Sequence, residues 1–116
     1  MSKATALNEG FLTHFDSDGD NTAQAVKVGP GNMYMLTVVN TNVADAYVQV
    51  FDALAASVTV GTTTPKYVFP ILGQAAYDGQ FQVPMRFETG LVYACTTTPT
   101  GAGDPGTGLT VSVGYM

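Results

Sequence analysis

The sequence has very few charged side chains. Charged residues make up 11% of its 116 residues, and only Lys3, Lys27, Lys66 and Arg86 are positive, so the formal net charge is −5. A typical domain is roughly 25% charged. Affinity for nucleic acid or for an anionic membrane surface depends on clustered Lys and Arg side chains. We therefore expect no nucleic-acid partner and no membrane partner.

Cysteine and long apolar runs are also scarce. Cys95 is the only cysteine, so no disulfide can form within one chain. No segment has the roughly 18 consecutive apolar residues of a membrane span. The opening residues, MSKATALNEG, lack the apolar run of a signal peptide. We therefore expect the chain to fold in a cytoplasm.

Helix signals are nearly absent, whereas strand signals recur along the chain. Near the C-terminus, Leu109, Val111, Val113 and Tyr115 alternate with small or polar residues, which predicts a half-buried strand. AYVQVFDA, residues 46–53, is apolar on both faces and predicts a central strand. We expect it to form a hairpin with the strand at Met33–Asn40. Other predicted strands are TAQAVKV (22–28), KYVFPIL (66–72), GQFQVP (79–84) and GLVYACTTT (90–98), and SVTVGTTTP (57–65) is predicted to be a short strand that leads into a turn.

Seven or eight short strands at regular spacing favour an all-β fold, a single β-sandwich, with the jelly roll as one such arrangement. A small closed barrel is the alternative. Residues 23–116 are predicted to form the sandwich, and residues 1–22, which show no period, an irregular N-terminal arm. This arm carries Phe11, Leu12 and Phe15, which we expect to form an interface because exposed apolar side chains on an arm need a cover.

The segment HFDSDGDNT, residues 14–22, resembles the start of a calcium loop. An EF-hand loop that begins at Asp16 requires Gly at its sixth position and Glu at its twelfth, but Asn21 and Lys27 stand there. Asp, Ser, Gly and Asn are also turn-forming residues. We therefore predict that the three aspartates of this segment lie in an exposed turn and hold no metal that folding requires.

Catalytic chemistry has little support in the sequence. His14 is the only histidine, no G-x-S-x-G motif is present, and Cys95 lies in an apolar strand where a buried thiol is typical. The Gly-rich stretch GAGDPGTG has no Lys and precedes a strand, so it does not fit a phosphate-binding loop. We therefore expect no enzyme activity, no catalytic residue and no cofactor.

From Tyr47 onward the chain resembles a family of small virion proteins of tailed bacteriophages. The resemblance rests on the order and spacing of five short segments: Phe51–Asp52, Val58–Pro65, Arg86–Leu91, Ala94–Thr98 and Leu109–Tyr115.

This resemblance implies a capsid decoration, or cement, protein that binds the major capsid protein on the outside of the virion and stabilises the shell. It also implies a homo-oligomer, typically a trimer. The alternative is a tail or fibre component, or another host-surface binding module, that recognises carbohydrate or protein through the loop Thr97–Gly108. An exposed aromatic cluster at the loop tips would favour that alternative, and a hydrolase ranks last.

Overall fold

Two antiparallel sheets pack face to face in this chain. The structure, a computed structural model, describes residues 12–116. These residues form eight strands: β1 (Leu12–Gly19), β2 (Gln24–Val28), β3 (Gly31–Asn40), β4 (Ala46–Asp52), β5 (Tyr67–Ile71), β6 (Ala75–Phe87), β7 (Gly90–Thr96) and β8 (Leu109–Tyr115). Sheet I has the order β1-β8-β3-β6, and sheet II has the order β2-β7-β4-β5.

This strand order is that of a jelly roll, in which eight antiparallel strands divide between two sheets. The predicted all-β sandwich is confirmed. The barrel alternative is excluded, because each sheet ends in open edges, β1 and β6 for sheet I and β2 and β5 for sheet II, instead of closing on itself.

The core lies between the sheets and follows the period-two pattern of the sequence. In β8, Leu109, Val111 and Val113 are buried as predicted, and Tyr115 is half-buried and packs against the same cluster. The two faces of β4 are both buried, as its apolar sequence predicts, because β4 is a central strand of sheet II.

The predicted hairpin between residues 33–40 and 46–53 is wrong, because β3 and β4 belong to different sheets. Asn40 explains the crossing. Its fully buried side-chain amide donates to the carbonyl oxygens of Ala44 (3.0 Å) and Ile71 (3.3 Å). Its Oδ1 accepts the backbone N–H of Asn42 at 3.0 Å. These bonds direct the chain from sheet I to sheet II where a hairpin would turn back.

The short strand predicted in residues 57–65 is also wrong, whereas the turn predicted after it is present. A 3-10 turn spans Ala55–Ser57, and local bonds from Thr62 N–H and Thr63 N–H to the Thr59 carbonyl (2.9 and 2.8 Å) form a turn after it. The β-branched residues that suggested a strand instead pack Val58 and Val60 onto the outside of sheet II.

The sandwich begins inside the segment that was predicted to be an arm. Leu12–Gly19 pairs with β8 from Leu12 opposite Tyr115 to Asp16 opposite Val111, and Gly19 lies opposite Leu109. The strand lacked an apolar alternation because its inward positions include His14 and Asp16.

Candidate interaction surface

The outer face of sheet II is covered by the chain's own loops. Phe51, Val92 and Ala94 point outward from this sheet, yet each is at most 1% exposed. The segment 53–60 packs over them with Ala53, Ala55, Val58 and Val60. The centre of this face therefore offers little apolar surface to a partner, although Val28 at its β2 edge is 75% exposed.

The loop 97–108 also lies over the outer face of sheet II, and the Gln49 side chain holds it there by hydrogen bonds. The side chain is fully buried on the outward side of β4. Its Nε2 donates to Thr96 Oγ1 at 2.9 Å and to the Gly101 carbonyl at 2.9 Å, with a longer contact of 3.4 Å to the Thr98 carbonyl. The loop predicted to bind a host surface is thus held down against the sheet.

The outer face of sheet I, in contrast, has no such cover from the described residues. Because side chains alternate along a strand, the neighbours of the buried β8 residues point outward. Cross-strand pairing then arranges the outward residues in rows of four, four and three positions. The rows are Phe15–Ser112–Thr37–Asp78, Thr13–Gly114–Met35–Gln80 and Thr110–Val39–Ala76. We call this set the sheet I face.

The sheet I face is almost neutral. Asp78 is the one charged residue in its three rows, and its Oδ1 accepts a hydrogen bond from Thr37 Oγ1 at 3.2 Å. Arg86, which pairs with Asn32, also points outward from sheet I but lies beyond these rows. The exposed aliphatic residue of the face is Val39, in its end row, which is 38% exposed. Most other positions carry hydroxyl, amide or small side chains. A nearly neutral face with exposed apolar groups is typical of a protein–protein contact.

Two depressions lie at opposite ends of this face. One, of about 470 Å³, is lined by Val39 and Ala76 together with residues at the ends of β3 and β6. The other, of about 270 Å³, is lined by Tyr34, Met35, Gln80 and Phe81. It forms because residues 81–84 of β6 bulge away from β3 opposite Tyr34. Both depressions can accept projecting side chains of a partner.

A cluster of three polar side chains fixes β1 at the edge of the face. The Tyr93 hydroxyl reaches from sheet II and donates to Asp16 Oδ2 at 2.7 Å. His14 Nε2 lies 3.2 Å from the same hydroxyl oxygen, and it must be the donor because the phenol proton is already used. Burial first, and then the bond to Asp16, raise the pKa of Tyr93 above its ordinary value, so the phenol stays protonated.

The predicted interface residues fall on this same strand. Leu12 is 62% exposed and Phe15 is 64% exposed, so the sandwich of one chain covers neither side chain. Phe15 projects from the sheet I face, and Leu12 lies near the end of β1 on the inward side. Phe11 lies outside the described residues. That Leu12 and Phe15 contact a partner stays a prediction.

The aspartates of residues 16–20 are not arranged as a single exposed turn. Asp16 and Asp18 belong to β1, and the backbone N–H of Asp18 donates to Asp16 Oδ1 at 3.0 Å. Asp20 follows the strand and accepts the N–H of Thr22 at 2.9 Å. No group of three or more metal-ligating side chains is found in residues 12–116. Whether this segment needs no cation to fold stays a prediction.

A nucleophile next to His14 is not found in the described part of the chain. The His14 ring contacts Tyr93, and Cys95 is fully buried. Burial first, and then the charges of Asp16 and Asp20, raise the pKa of Cys95 to about 12. Its thiol is therefore neutral near pH 7, unlike the thiolate of a catalytic cysteine.

Among residues 12–116, the large aromatic side chains that are exposed lie on strands and not at loop tips. Phe15 is on β1, and Tyr67, which is 52% exposed, is on β5. The placement weighs against a receptor site built on loop aromatics. Between residues 12 and 116, no helix has the length and apolarity that crossing a bilayer requires.

Sequence reasoning missed the sheet I face, because a face exists only once the register of four strands is known. The signal that was available is the alternation of Thr110, Ser112 and Gly114 with buried residues, which marks one outward stripe. Comparisons with protein-family models, with curated proteins and with solved structures find no match to this chain.

Proposed function

We propose that this protein is a capsid decoration protein of a tailed bacteriophage, which binds the major capsid protein on the outside of the virion through the sheet I face. The resemblance from Tyr47 onward supports the virion role. The observation that carries the choice of surface is the asymmetry of the sandwich: its own loops cover sheet II, whereas the sheet I face has one charged residue in three rows.

The area of the sheet I face limits how tightly one chain can bind. With strands about 4.8 Å apart and alternate residues about 6.7 Å apart, the three rows cover about 400 Å². A standard interface buries about 800 Å² on each partner. One face therefore supplies about half of a stable interface. A homo-oligomer that presents several copies of the face to a lattice of identical sites compensates, because linked contacts gain avidity. A decoration protein that binds a capsid lattice can therefore combine contacts that are weak one by one.

A cation placed on the face, on its central strand β3, tests the proposal. Val39→Lys puts an ammonium group among neutral neighbours, and because Val39 points outward the fold should persist. Val28→Lys is the matched control, since Val28 is 75% exposed and lies on β2 of the other sheet. Capsids of the encoding phage, prepared without this protein, are mixed with each variant and sedimented. We expect Val39→Lys to bind at least tenfold more weakly than wild type.

The control variant should bind as wild type does. Wild-type protein that does not sediment with capsids would refute the decoration role. If Val39→Lys binds as well as Val28→Lys, the sheet I face is not the contact.

A further inference from the structure

Three of the four sheet edges carry features that prevent strand pairing. Proteins block exposed edges with short strands, Lys or Pro residues and bulges. The β2 edge has five residues, a register irregularity and Lys27. The β5 edge has five residues and includes Pro70. The β6 edge contains Pro84 within the bulge at residues 81–84, and it also carries Arg86.

The β1 edge has none of these features over its regular part. Residues 12–16 pair with β8 without a register shift, and the irregularity lies between Asp16 and Gly19. The strand contains neither Pro, Lys nor Arg. It also carries the exposed side chains of Leu12 and Phe15. Among residues 12–116, β8 is its single strand neighbour. An edge of this kind is suited to pairing with another strand.

Within the regular part of β1, residues 12–16, Asp16 is the feature that opposes pairing, because an inward-pointing charge at an edge repels an incoming strand. A partner strand that places a hydrogen-bond donor or a cation opposite Asp16 removes this obstacle. The chain itself supplies such a strand, since His14 lies two residues before Asp16 on the same face of β1. In its protonated form, His14 has a second N–H besides the one that the Tyr93 hydroxyl accepts, and this N–H is the donor for Asp16 of the other copy.

We propose that β1 pairs antiparallel with β1 of a second copy, about a two-fold axis that passes through Phe15. In this register His14 of each copy lies opposite Asp16 of the other, and the two Phe15 rings are neighbours on the outer face. The pairing joins the two copies of sheet I into one eight-stranded sheet.

Neighbouring registers are less favourable. In an antiparallel pair, residues of the same face stay opposite each other only if the sum of the two paired residue numbers changes by two. One such shift places Asp16 opposite Asp16, and the other places His14 opposite His14. Like charges directly opposite each other destabilise a strand pair. The Phe15-centred register is the one of the three that opposes unlike groups.

Tyr93 prepares the edge for this contact, because it binds both His14 and Asp16 from below (3.2 and 2.7 Å). Their side chains are therefore held before the second copy arrives, which lowers the entropy cost of pairing. The inference does not depend on a capsid role. It gives a dimer, whereas the resemblance implies a trimer.

Sedimentation velocity of the full chain tests the pairing between about 1 and 100 μM. We expect a dimer for the wild type and at least tenfold weaker association for Phe15→Lys. Val83→Lys is the control, because Val83 is 85% exposed on the β6 edge and receives the same new charge. We expect Val83→Lys to dimerise like the wild type.

Three results would overturn the inference. The first is a wild-type monomer at the highest concentration, as when another segment such as residues 1–11 occupies the edge. The second is a wild-type trimer, which a single two-fold contact cannot build. The third is equal association of the Phe15→Lys and Val83→Lys variants.

Cross-linking tests the register. Directly opposite residues of an antiparallel pair lie within disulfide reach. The Phe15→Cys variant should therefore form a covalent dimer under mild oxidation, and Val83→Cys should not. The native Cys95 does not interfere, because it is buried and its pKa is raised to about 12. The register is refuted if Phe15→Cys cross-links no faster than Val83→Cys.

Discussion

Truncation of Gln49 tests what holds the loop 97–108 over sheet II. The side chain is fully buried, and its two short bonds, to Thr96 Oγ1 and to the Gly101 carbonyl, are both 2.9 Å long. The Gln49→Ala variant removes these bonds and leaves the Gly101 carbonyl without its side-chain donor. The loop should then open more often.

The expected cost is about 3–4 kcal/mol. Two neutral hydrogen bonds contribute about 1 kcal/mol each, and an acceptor left without its donor costs about 1–2 kcal/mol more. One buried methylene adds about 0.8 kcal/mol. Against this, Gln49 Oε1 is buried and accepts no hydrogen bond from the described residues, so its removal returns about 1 kcal/mol. In a domain of this size, the net cost lowers Tm by roughly 15 °C.

Thermal unfolding followed by circular dichroism gives the change in Tm, and amide hydrogen exchange reports the opening of the loop. Gln80→Ala is the matched control, because Gln80 is exposed on β6 and its truncation should cost less than about 0.5 kcal/mol. A Gln49→Ala variant that melts within about 2 °C of wild type, with unchanged exchange in the loop, would refute the assignment.

Three other perturbations have defined outcomes. Val111→Asp buries an unpaired charge in the core and should abolish cooperative unfolding, whereas Thr110→Asp, on the sheet I face, should leave the fold intact; equal stability of the two variants would contradict the strand assignment. Asp52 accepts hydrogen bonds from three backbone N–H groups, at 2.8–3.3 Å, where the chain enters β7. Burial raises the pKa of Asp52, but these hydrogen bonds outweigh it and lower the pKa below 3.8. Asp52→Asn should therefore lower the free energy of unfolding in urea by about 1 kcal/mol at pH 7, and this loss should shrink as pH falls below about 3.8; a loss that persists there would exclude the charge as its cause. Excess calcium followed by chelator should leave Tm unchanged if the segment 16–20 needs no cation, and a chelator-induced drop of more than about 10 °C would refute that prediction.

The strands that bury one whole face were predictable from the sequence. In β8 every second residue is apolar, so burial of Leu109, Val111 and Val113 follows from the side-chain period alone. The burial of both faces of β4 was predictable for the same reason, since Val48 and Phe51 on its opposite faces are both large and apolar. In these segments, local pattern and tertiary environment agree.

The remaining elements depend on contacts far along the chain. β1 was not recognised because its inward residues His14 and Asp16 are satisfied by Tyr93, about eighty positions later. The crossing after β3 depends on Asn40 bonds to the carbonyl of Ile71. Residues 57–65 have strand composition, but their apolar side chains cover sheet II. A single-sequence pattern contains none of these pairings.

The candidate surface was predictable only in part. Low charge predicted that some surface is covered by a partner, and the choice of Leu12 and Phe15 followed from apolar residues without a local pattern. Which sheet carries the exposed face could not be predicted, because the difference depends on where the loops 53–66 and 97–108 fold. Both connections contain four Thr residues and at least one Pro, so composition does not tell them apart in this respect.

Pairing of two β1 edges would double the area that the protein presents to a capsid. A two-fold axis perpendicular to sheet I leaves both sheet I faces on the same side of the dimer. Together they give about 800 Å² of nearly neutral surface, as much as one partner of a standard interface supplies. The Phe15→Lys variant changes the β1 end of the middle row and should be a monomer. We therefore expect it to bind capsids at least tenfold more weakly than wild type, whereas Val39→Lys should lose capsid binding and remain a dimer. Sedimentation velocity shows which variant still dimerises, so the capsid binding of dimeric Val39→Lys measures the contribution of the face alone. If monomeric Phe15→Lys binds capsids as tightly as wild type, edge pairing makes no contribution to binding, and the face of one chain is sufficient.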